Sequence, residues 1–350
     1  MSNEKQLKLP LLAFLSLLAA SCVTAQTAQP APQWVTNLEN AYPSKDWVAV
    51  VANGSSQTQA ESAAMNALAR AFRTDVAALT QASQKYSEIV DNAAAKGKIK
   101  FDESKNFTQE VNTASSVKEL IGVQTDIYRA SDKTVHVNAR MNRRECAARY
   151  TGIIRENTAI INTLLTEMPQ QDTLGVYARL GFAHSIALAT DNFQNILEVL
   201  DPTAVNRKPN YGGANAIKIK MLETAARITI GIMVDTEQQA DKTLLTRAAG
   251  SYFRDLGFKT NELGQGDYTL RANARFETLQ QNVVSCRYYL DAALVSPNGA
   301  SIFSLTEDGR KAHPDTVSEA RRLALRAVET SFKEGQFAIE FNKWLNSLVE

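Results

Sequence analysis

The segment Asp46 to Phe72 constrains the fold of this chain more than any other stretch. It reads DWVAVVANGSSQTQAESAAMNALARAF. The aromatic and β-branched run 47–52 predicts a strand, and the small polar residues 53–56 predict the turn that ends it. Thr58 followed by Glu61 is a capping box, which predicts a helix over 57–80. Alanines at helical spacing give this helix a narrow apolar face, so we expect it to pack closely against a sheet.

The composition is that of a folded protein with one large or two ordinary domains. The chain has 350 residues, of which 44% are hydrophobic and 21% charged, and this length is enough to bury a substantial core. The formal net charge is +1, and no basic stripe is present. The charge balance therefore argues against nucleic acid as a partner and against attachment to anionic lipid through basic residues.

Residues 1–21 have the pattern of a signal peptide. Lys5 and Lys8 precede the apolar run 11–20, which is too short to span a bilayer and has no polar face. We therefore expect the protein to be exported from the cytoplasm.

Two processing sites compete at the end of this segment. The sequence 18–22, LAASC, resembles a bacterial lipobox, in which Cys22 receives lipid and becomes the mature N-terminus. The alternative is ordinary cleavage after Ala25. We favour the lipobox, because a cysteine at the edge of the apolar run is otherwise hard to explain. Several acyl chains on Cys22 would anchor the chain stably, and residues 22–33 would form a flexible tether.

The other two cysteines, Cys146 and Cys286, lie 140 positions apart. In an exported protein they are a candidate disulfide, and the alternative is two small buried thiols. We favour the buried thiols, because the two cysteines fall in different predicted modules. Neither CxxC spacing nor a Cys/His cluster is present, so we predict no metal site and no cofactor.

Hydrophobic periodicity predicts an α+β protein with two modules that have mostly antiparallel sheets and alanine-rich helices. The first module covers 34–150 and the second 226–350, and a helical segment over 151–225 joins them. Thr236 with Gln239 and Thr316 with Glu319 predict two further capped helix starts. The shared plan of the two halves suggests a repeated packing unit.

No catalytic residues are predicted from the sequence. His136, His184 and His313 have no neighbours at triad or ligand spacing, and nucleotide, hydrolase and metalloprotease motifs are absent. The turn 54–56 could bind an anion at a helix N-terminus, but a tight strand-to-helix turn explains it better. The pair Glu307 and Asp308 predicts a polar turn after a strand.

Three aromatic residues are candidates for partner contact, because aromatic side chains are enriched at interfaces. Tyr288 and Tyr289 lie in a predicted strand, and an exposed tyrosine there would suit a partner. Trp34 precedes the first strand, where we also expect it to anchor the N-terminal segment on the module that follows.

The N-terminal half resembles a known family. The lipobox-like Cys22, the tripeptide 33–35 (QWV), the strand, the Gly-Ser-Ser turn and the alanine-rich helix start 59–63 resemble the LPP-twenty lipoproteins of bacterial envelopes. Their domain is similar to the N-terminal module of the flagellar assembly protein T. The resemblance covers residues 33–150 and rests on packing motifs. It implies a non-catalytic envelope lipoprotein, in some members associated with motility machinery.

These observations predict a lipid-anchored scaffold or interaction protein that is not an enzyme. We expect it to face the periplasm from the outer membrane and to bind other envelope proteins. The alternative is a soluble periplasmic protein that binds a small molecule in the cleft between the two modules.

Overall fold

The computed structural model describes residues 30–72, 120–166, 172–207, 209–280, 284–314 and 316–349. The predicted signal peptide, Cys22 and most of the tether lie outside the described residues, as does 73–119, into which the predicted helix 57–80 continues. The helices are α1 (Gln33–Thr36), α2 (Leu38–Ala41), α3 (Gln57–Ala71), α4 (Arg143–Thr166), α5 (Thr173–Leu200), α6 (Ala214–Ala225), α7 (Gln239–Asp255), α8 (Val317–Lys333) and α9 (Gln336–Ser347). The strands are β1 (Trp47–Gly54), β2 (Gln124–Arg129), β3 (Val135–Asn142), β4 (Thr229–Asp235), β5 (Lys259–Asn261), β6 (Tyr268–Gln280), β7 (Val284–Val295) and β8 (Ser301–His313).

The first sheet has the order β1-β3-β2 and is antiparallel throughout. Strands β2 and β3 form a hairpin, and the apolar positions Val135, Val137 and Ala139 of β3 are buried. Helix α3 packs on this face through Ala60, Ala64 and Leu68, which have no exposed surface. The buried face of the sheet, formed by every second residue of the strand, therefore packs against the narrow alanine face of the helix.

The turn between β1 and α3 is closed by side chains other than the predicted pair. The N-cap residue is Ser56, whose Oγ accepts a hydrogen bond from the backbone N–H of Gln59 at 3.3 Å. The prediction that Thr58 and Glu61 form the capping box is wrong, because the helix begins one position before Thr58. A Cβ on Gly54 would lie 2.7 Å from the backbone nitrogen of Ala60, so glycine allows the strand to approach the helix closely.

Helix α5 belongs to both hydrophobic cores. Near its N-terminus, Leu174 and Tyr177 join the core of the second sheet, whereas the buried residues from Leu180 to Leu200 join that of the first. The Tyr177 hydroxyl donates a hydrogen bond to the carbonyl oxygen of Leu256 at 3.0 Å, and its ring lies 4.6 Å from that of Phe258. The predicted helical segment 151–225 thus contains a continuous helix that contacts both modules.

The second sheet has the order β5-β4-β6-β7-β8. Strand β4 runs parallel to β5 and β6, and the pairs β6–β7 and β7–β8 are antiparallel. Its core contains a cluster of phenylalanines contributed by α7, β8, α8 and α9 (Phe253, Phe303, Phe332, Phe337 and Phe341). The protein is therefore α+β with mostly antiparallel sheets, as predicted.

Of the other two predicted capping boxes, one is half formed. Thr316 caps α8, and its Oγ1 accepts a hydrogen bond from the Glu319 N–H at 3.3 Å. Among the described contacts, the backbone N–H of Thr316 donates to His313 Nδ1 at 3.4 Å and not to Glu319, whose carboxylate accepts from Arg322. The prediction for Thr236 is wrong, because α7 begins at Gln239 with Gln238 at the cap, and the buried hydroxyl of Thr236 has no hydrogen-bond partner among the described residues. Among the described helices, none is long and apolar enough to cross a membrane.

Candidate interaction surface

One face of the second sheet carries polar side chains, and we call it the open face. Strands β6, β7 and β8 alternate, so that one side chain enters the core and the next points to the open face. The register aligns the open-face residues in rows across the three strands, for example Asn273, Asp291 and Thr306, and next to them Arg275, Tyr289 and Asp308. Because the strands are 12 or 13 residues long, these rows form an extended surface.

A groove of about 670 Å³ lies on this surface at the β4 side. Its rim includes two exposed apolar side chains, Met233 at 50% and Leu263 at 83% of their full exposure. The turn after β5 folds back over β4, and a Cβ on Gly231 would lie 2.5 Å from the carbonyl group of Gly264. This close approach, which glycine permits, places Leu263 beside the groove.

The groove contains charges of both signs. Lys242 and Arg271 line it, and within the described residues neither forms an ion pair. Asp235 and Glu262 also line it and likewise lack a described ion-pair partner. Such unpaired charges remain available to a partner or ligand that carries complementary groups.

The neighbouring rows are held in place by contacts between side chains. Asp291 accepts a hydrogen bond from the Thr306 hydroxyl at 3.0 Å, and its Oδ2 lies 3.4 Å from Nη2 of Arg275. The ring of Tyr289 lies close to two guanidinium groups, 5.5 Å from that of Arg275 and 5.8 Å from that of Arg287. Contacts of this kind restrict side chains that would otherwise be mobile.

Of the three aromatic residues predicted to contact a partner, Tyr289 is the one that the open face presents. Trp34 is 7% exposed and Tyr288 is 8% exposed, so the prediction that they contact a partner is not supported by their positions. Tyr288 points into the core and donates a hydrogen bond to Glu307 Oε1 at 3.2 Å. Its burial raises the pKa of the hydroxyl to about 12, and the Glu307 carboxylate acts in the same direction.

The pair Glu307 and Asp308 does not form the predicted turn. Both residues lie within β8, and Glu307 is buried, where it accepts hydrogen bonds from Tyr288 and from the Ser331 hydroxyl. Ser331 Oγ accepts in turn from the backbone N–H of Phe337 at 3.1 Å. The signal in the sequence was the unbroken alternation from Phe303 through Glu307, in which the carboxylate occupies an inward position.

The two remaining cysteines are free and buried, so the candidate disulfide is not formed in this structure. Cys146 belongs to the core of the first sheet and Cys286 to that of the second. Burial raises the pKa of both thiols. The structure thus agrees with the alternative of two buried thiols.

The three histidines lie apart from one another, in β3, in α5 and at the end of β8. Within the described ranges, no three His, Cys, Asp or Glu side chains are grouped so that they could hold a metal ion. Histidines are also absent from the residues that line the groove on the open face.

A second groove, of about 860 Å³, lies between the end of α5 and the start of α4. Arg143 is committed to structure here, because its guanidinium donates to the carbonyl oxygens of Val199 and Leu200 at the C-terminus of α5 and to that of Ser44. A cation at this end of a helix satisfies terminal carbonyls. We therefore assign this arginine a structural role.

Comparison with protein-family models gives no match. A search of curated proteins also gives no significant match.

Solved structures that are similar to parts of the chain come from bacteria. A secreted protein of Helicobacter pylori, HP1454, aligns with 82% of this chain and 97% of its own, at 11% identity and a TM-score of 0.36. A DUF330 protein of Xanthomonas campestris aligns with 34% of this chain and 83% of its own, at 16% identity and a TM-score of 0.26. A minor lipoprotein of Acinetobacter baumannii aligns with 34% and 90%, at 11% identity and a TM-score of 0.23. Scores this low assign neither a family nor a function, and the resemblance to LPP-twenty lipoproteins stays a prediction.

Proposed function

We propose that this chain is an exported bacterial lipoprotein of the cell envelope that acts by binding other proteins and performs no catalysis. The N-terminal sequence supports export and a lipid on Cys22. The observation that carries the interaction role is the open face, an extended and ordered polar surface beside a groove with exposed apolar residues at its rim.

The composition of the open face suits protein recognition. Tyrosine and arginine are the residues that most often contribute strongly to binding at interfaces. Tyr289 contacts Arg275 and Arg287 and donates a hydrogen bond to Glu277 at 3.3 Å. Because these contacts already restrict the side chains, binding a partner costs little further side-chain conformational entropy.

The chemistry of the groove favours binding over catalysis. A nucleophilic hydroxyl needs a base within hydrogen-bond reach, and that base is oriented by a third group. The Thr306 hydroxyl donates to Asp291, but this carboxylate is engaged by Arg275, and neither histidine nor cysteine is among the described residues that line the groove. Ion pairing and hydrogen bonding therefore account for the arrangement of Thr306, Asp291 and Arg275.

Anchoring at Cys22 would keep the described domains close to a membrane surface. The stretch 22–32 precedes α1, and an extended chain of this length reaches at most roughly 35–40 Å. Partners on the periplasmic side of the outer membrane lie within that distance. The resemblance to LPP-twenty lipoproteins adds envelope and motility assemblies to the candidates.

A photocrosslinking amino acid tests the interaction role directly. It replaces Tyr289 in the full-length chain expressed in a bacterial envelope, and a matched variant carries it at Arg326, an exposed position on α8. We expect a discrete crosslinked protein from position 289 that is absent from position 326 and is lost when Arg275 and Arg287 are both changed to Glu. Identical products from both positions, or none from 289, would contradict the proposal.

A second candidate function is the binding of a small molecule. The groove has a volume typical of small-molecule sites and combines apolar walls with a few charged groups. The sequence predicts such a site elsewhere, in the cleft between the two modules. A thermal-shift screen of the purified chain against a metabolite panel distinguishes the two functions. A rise of several degrees with one compound, abolished by Arg271→Ala, would favour the ligand-binding role.

A further inference from the structure

Among the described strands, β8 forms a long edge of the second sheet. It pairs with β7 on one side, over 13 residues from Ser301 to His313, whereas the opposite edge strand β5 has three residues. Outside the β7–β8 ladder, the backbone of residues 304–313 makes no hydrogen bond to another described segment. A long exposed edge of this kind offers a row of backbone donors and acceptors to another strand.

The charges along this edge have opposite signs on the two sides of Gly309. Residues 307–311 read Glu, Asp, Gly, Arg and Lys, two acidic and two basic positions around one glycine. Charged side chains usually keep edge strands apart. In this order they attract a second strand that runs antiparallel with the two glycines opposite each other, because Asp308 then faces the partner's Arg310 and Glu307 faces the partner's Lys311.

Other antiparallel registers are less favourable. A shift that centres the pair on residue 307 places two buried glutamates opposite each other, and one centred on residue 311 does the same with two lysines. Like charges directly opposite each other destabilise a strand pair. Displacing one strand from this register by an odd number of residues would place open-face residues opposite core-face residues, which the pleat does not allow.

Within the described part of a single chain, these charges have no ionic partners. Glu307 is 8% exposed, and its described contacts are the hydroxyls of Tyr288 and Ser331, with no described lysine or arginine in an ion pair. Asp308 and Lys311 are exposed and form no ion pair within the described part of the chain. A buried carboxylate is stabilised by a cation, and pairing about Gly309 supplies the partner's Lys311.

We infer that β8 is the contact strand of a symmetric dimer, in which it pairs antiparallel with β8 of a second copy about Gly309. The two sheets become one continuous sheet, and the two open faces lie on the same side. Each contact occurs twice because the interface has two-fold symmetry. A partner that binds the open face would then meet two copies of it.

Charge reversal tests the inference. The mature full-length chain is extracted from envelopes in detergent, and its dimer dissociation constant is measured by sedimentation equilibrium. Lys311→Glu and Asp308→Arg each replace an attractive pair by a repulsive one, twice per dimer, so we expect each to raise the dissociation constant by about tenfold or more. The double variant Asp308→Arg with Arg310→Asp exchanges the two charges and is expected to restore most of the affinity.

Two controls keep the result interpretable. Arg326→Glu, an exposed change on α8, should leave the dissociation constant unchanged. Circular dichroism and thermal unfolding report whether each variant folds, which matters for the double variant because Arg310 also donates a hydrogen bond to Ser285 at 2.8 Å. A wild-type chain that stays monomeric at high concentration, or a dimer whose dissociation constant is unaffected by the single reversals, would overturn the inference.

Discussion

Tyr288 lies directly opposite Gly309 on the neighbouring strand, and its ring fills the space that a side chain at position 309 would need. A Cβ on Gly309 would lie 2.5 Å from the ring carbon that bears the hydroxyl. The same hydroxyl reaches Glu307, two positions away on the same face of β8. One glycine thus allows an aromatic ring to cover the strand and to bind a buried carboxylate.

Replacing this glycine should destabilise the protein. We expect Gly309→Ala to lower the free energy of unfolding by about 1–3 kcal/mol, because the methyl group overpacks a site already filled by Tyr288. Gly152 in α4 is the matched control, since nothing lies within 4 Å of a Cβ there, and Gly152→Ala should raise stability by about 0.5–1 kcal/mol. Urea denaturation compares the two. Equal effects at both positions would show that the ring does not occupy this space.

Alanine substitutions at Ser56 and Thr58 distinguish the two candidate N-caps of α3. Ser56→Ala removes the acceptor for the N–H of Gln59 and should lower the free energy of unfolding by about 1 kcal/mol. Thr58→Ala changes an exposed residue inside the helix and should change stability by less than about 0.5 kcal/mol. If chemical denaturation showed a larger loss of unfolding free energy for Thr58→Ala than for Ser56→Ala, Thr58 would be the N-cap, as the sequence suggested.

The ion pair between Arg321 and Asp241 should contribute far more than the pairs on the open face. Asp241 is 5% exposed and lies 2.5 Å from the guanidinium of Arg321, which also stacks over Phe276 at 5.1 Å. Arg321→Ala leaves a buried carboxylate unpaired and should lower stability by about 3–5 kcal/mol.

The comparison variant for that pair is Arg275→Ala, which removes the exposed pair with Asp291 and should lower stability by no more than about 1 kcal/mol. Chemical denaturation at low and high salt measures both losses. We expect the loss at Arg275 to shrink with salt and the loss at Arg321 to persist. Similar losses with similar salt dependence would mean that Asp241 is not effectively desolvated.

Alkaline pH should weaken the contact between α5 and the second core. Burial raises the pKa of Tyr177 to about 12, from an ordinary value of about 10. The unfolded chain therefore releases this proton first, and the free energy of unfolding falls as the pH rises from about 10 to about 12. Below that range, the full contribution is present.

Tyr177→Phe isolates this contribution. The variant loses the hydrogen bond to Leu256 at every pH, which gives a constant offset, but it also loses the titrating group. We expect its stability to fall less steeply than that of the wild type above pH 10, as measured by denaturation at each pH. Parallel curves for the two proteins would mean that Tyr177 ionises equally easily in the folded and unfolded states.

Much of the fold is predictable from local patterns, because hydrophobic alternation and helical spacing report directly on burial. The β2–β3 hairpin and the Thr316 cap of α8 are examples. The Thr58 prediction failed because Ser55, Ser56 and Thr58 all carry hydroxyl groups that could cap a helix, and the backbone geometry at Ser56 decides which one does.

The features of the candidate surface depend on contacts between distant residues. Tyr288 and Tyr289 are adjacent in the sequence, and only the strand register shows which of them enters the core. Glu307 is the clearest case, because acidic residues beside a glycine usually indicate a turn. Its inward position is stabilised by hydroxyl groups from β7 and α8, which nothing in the local sequence of β8 indicates.

The mass of the mature N-terminus tests the central proposal, a lipid-anchored envelope protein, most directly. The full-length chain is expressed in a bacterium, recovered from its envelope fraction and analysed by mass spectrometry of its N-terminal peptide. We predict that the peptide begins at Cys22 with covalently bound acyl chains, and that Cys22→Ala removes the lipid and releases the protein from the membrane fraction. An unmodified N-terminus at Gln26, with the protein in the soluble fraction, would contradict the proposal.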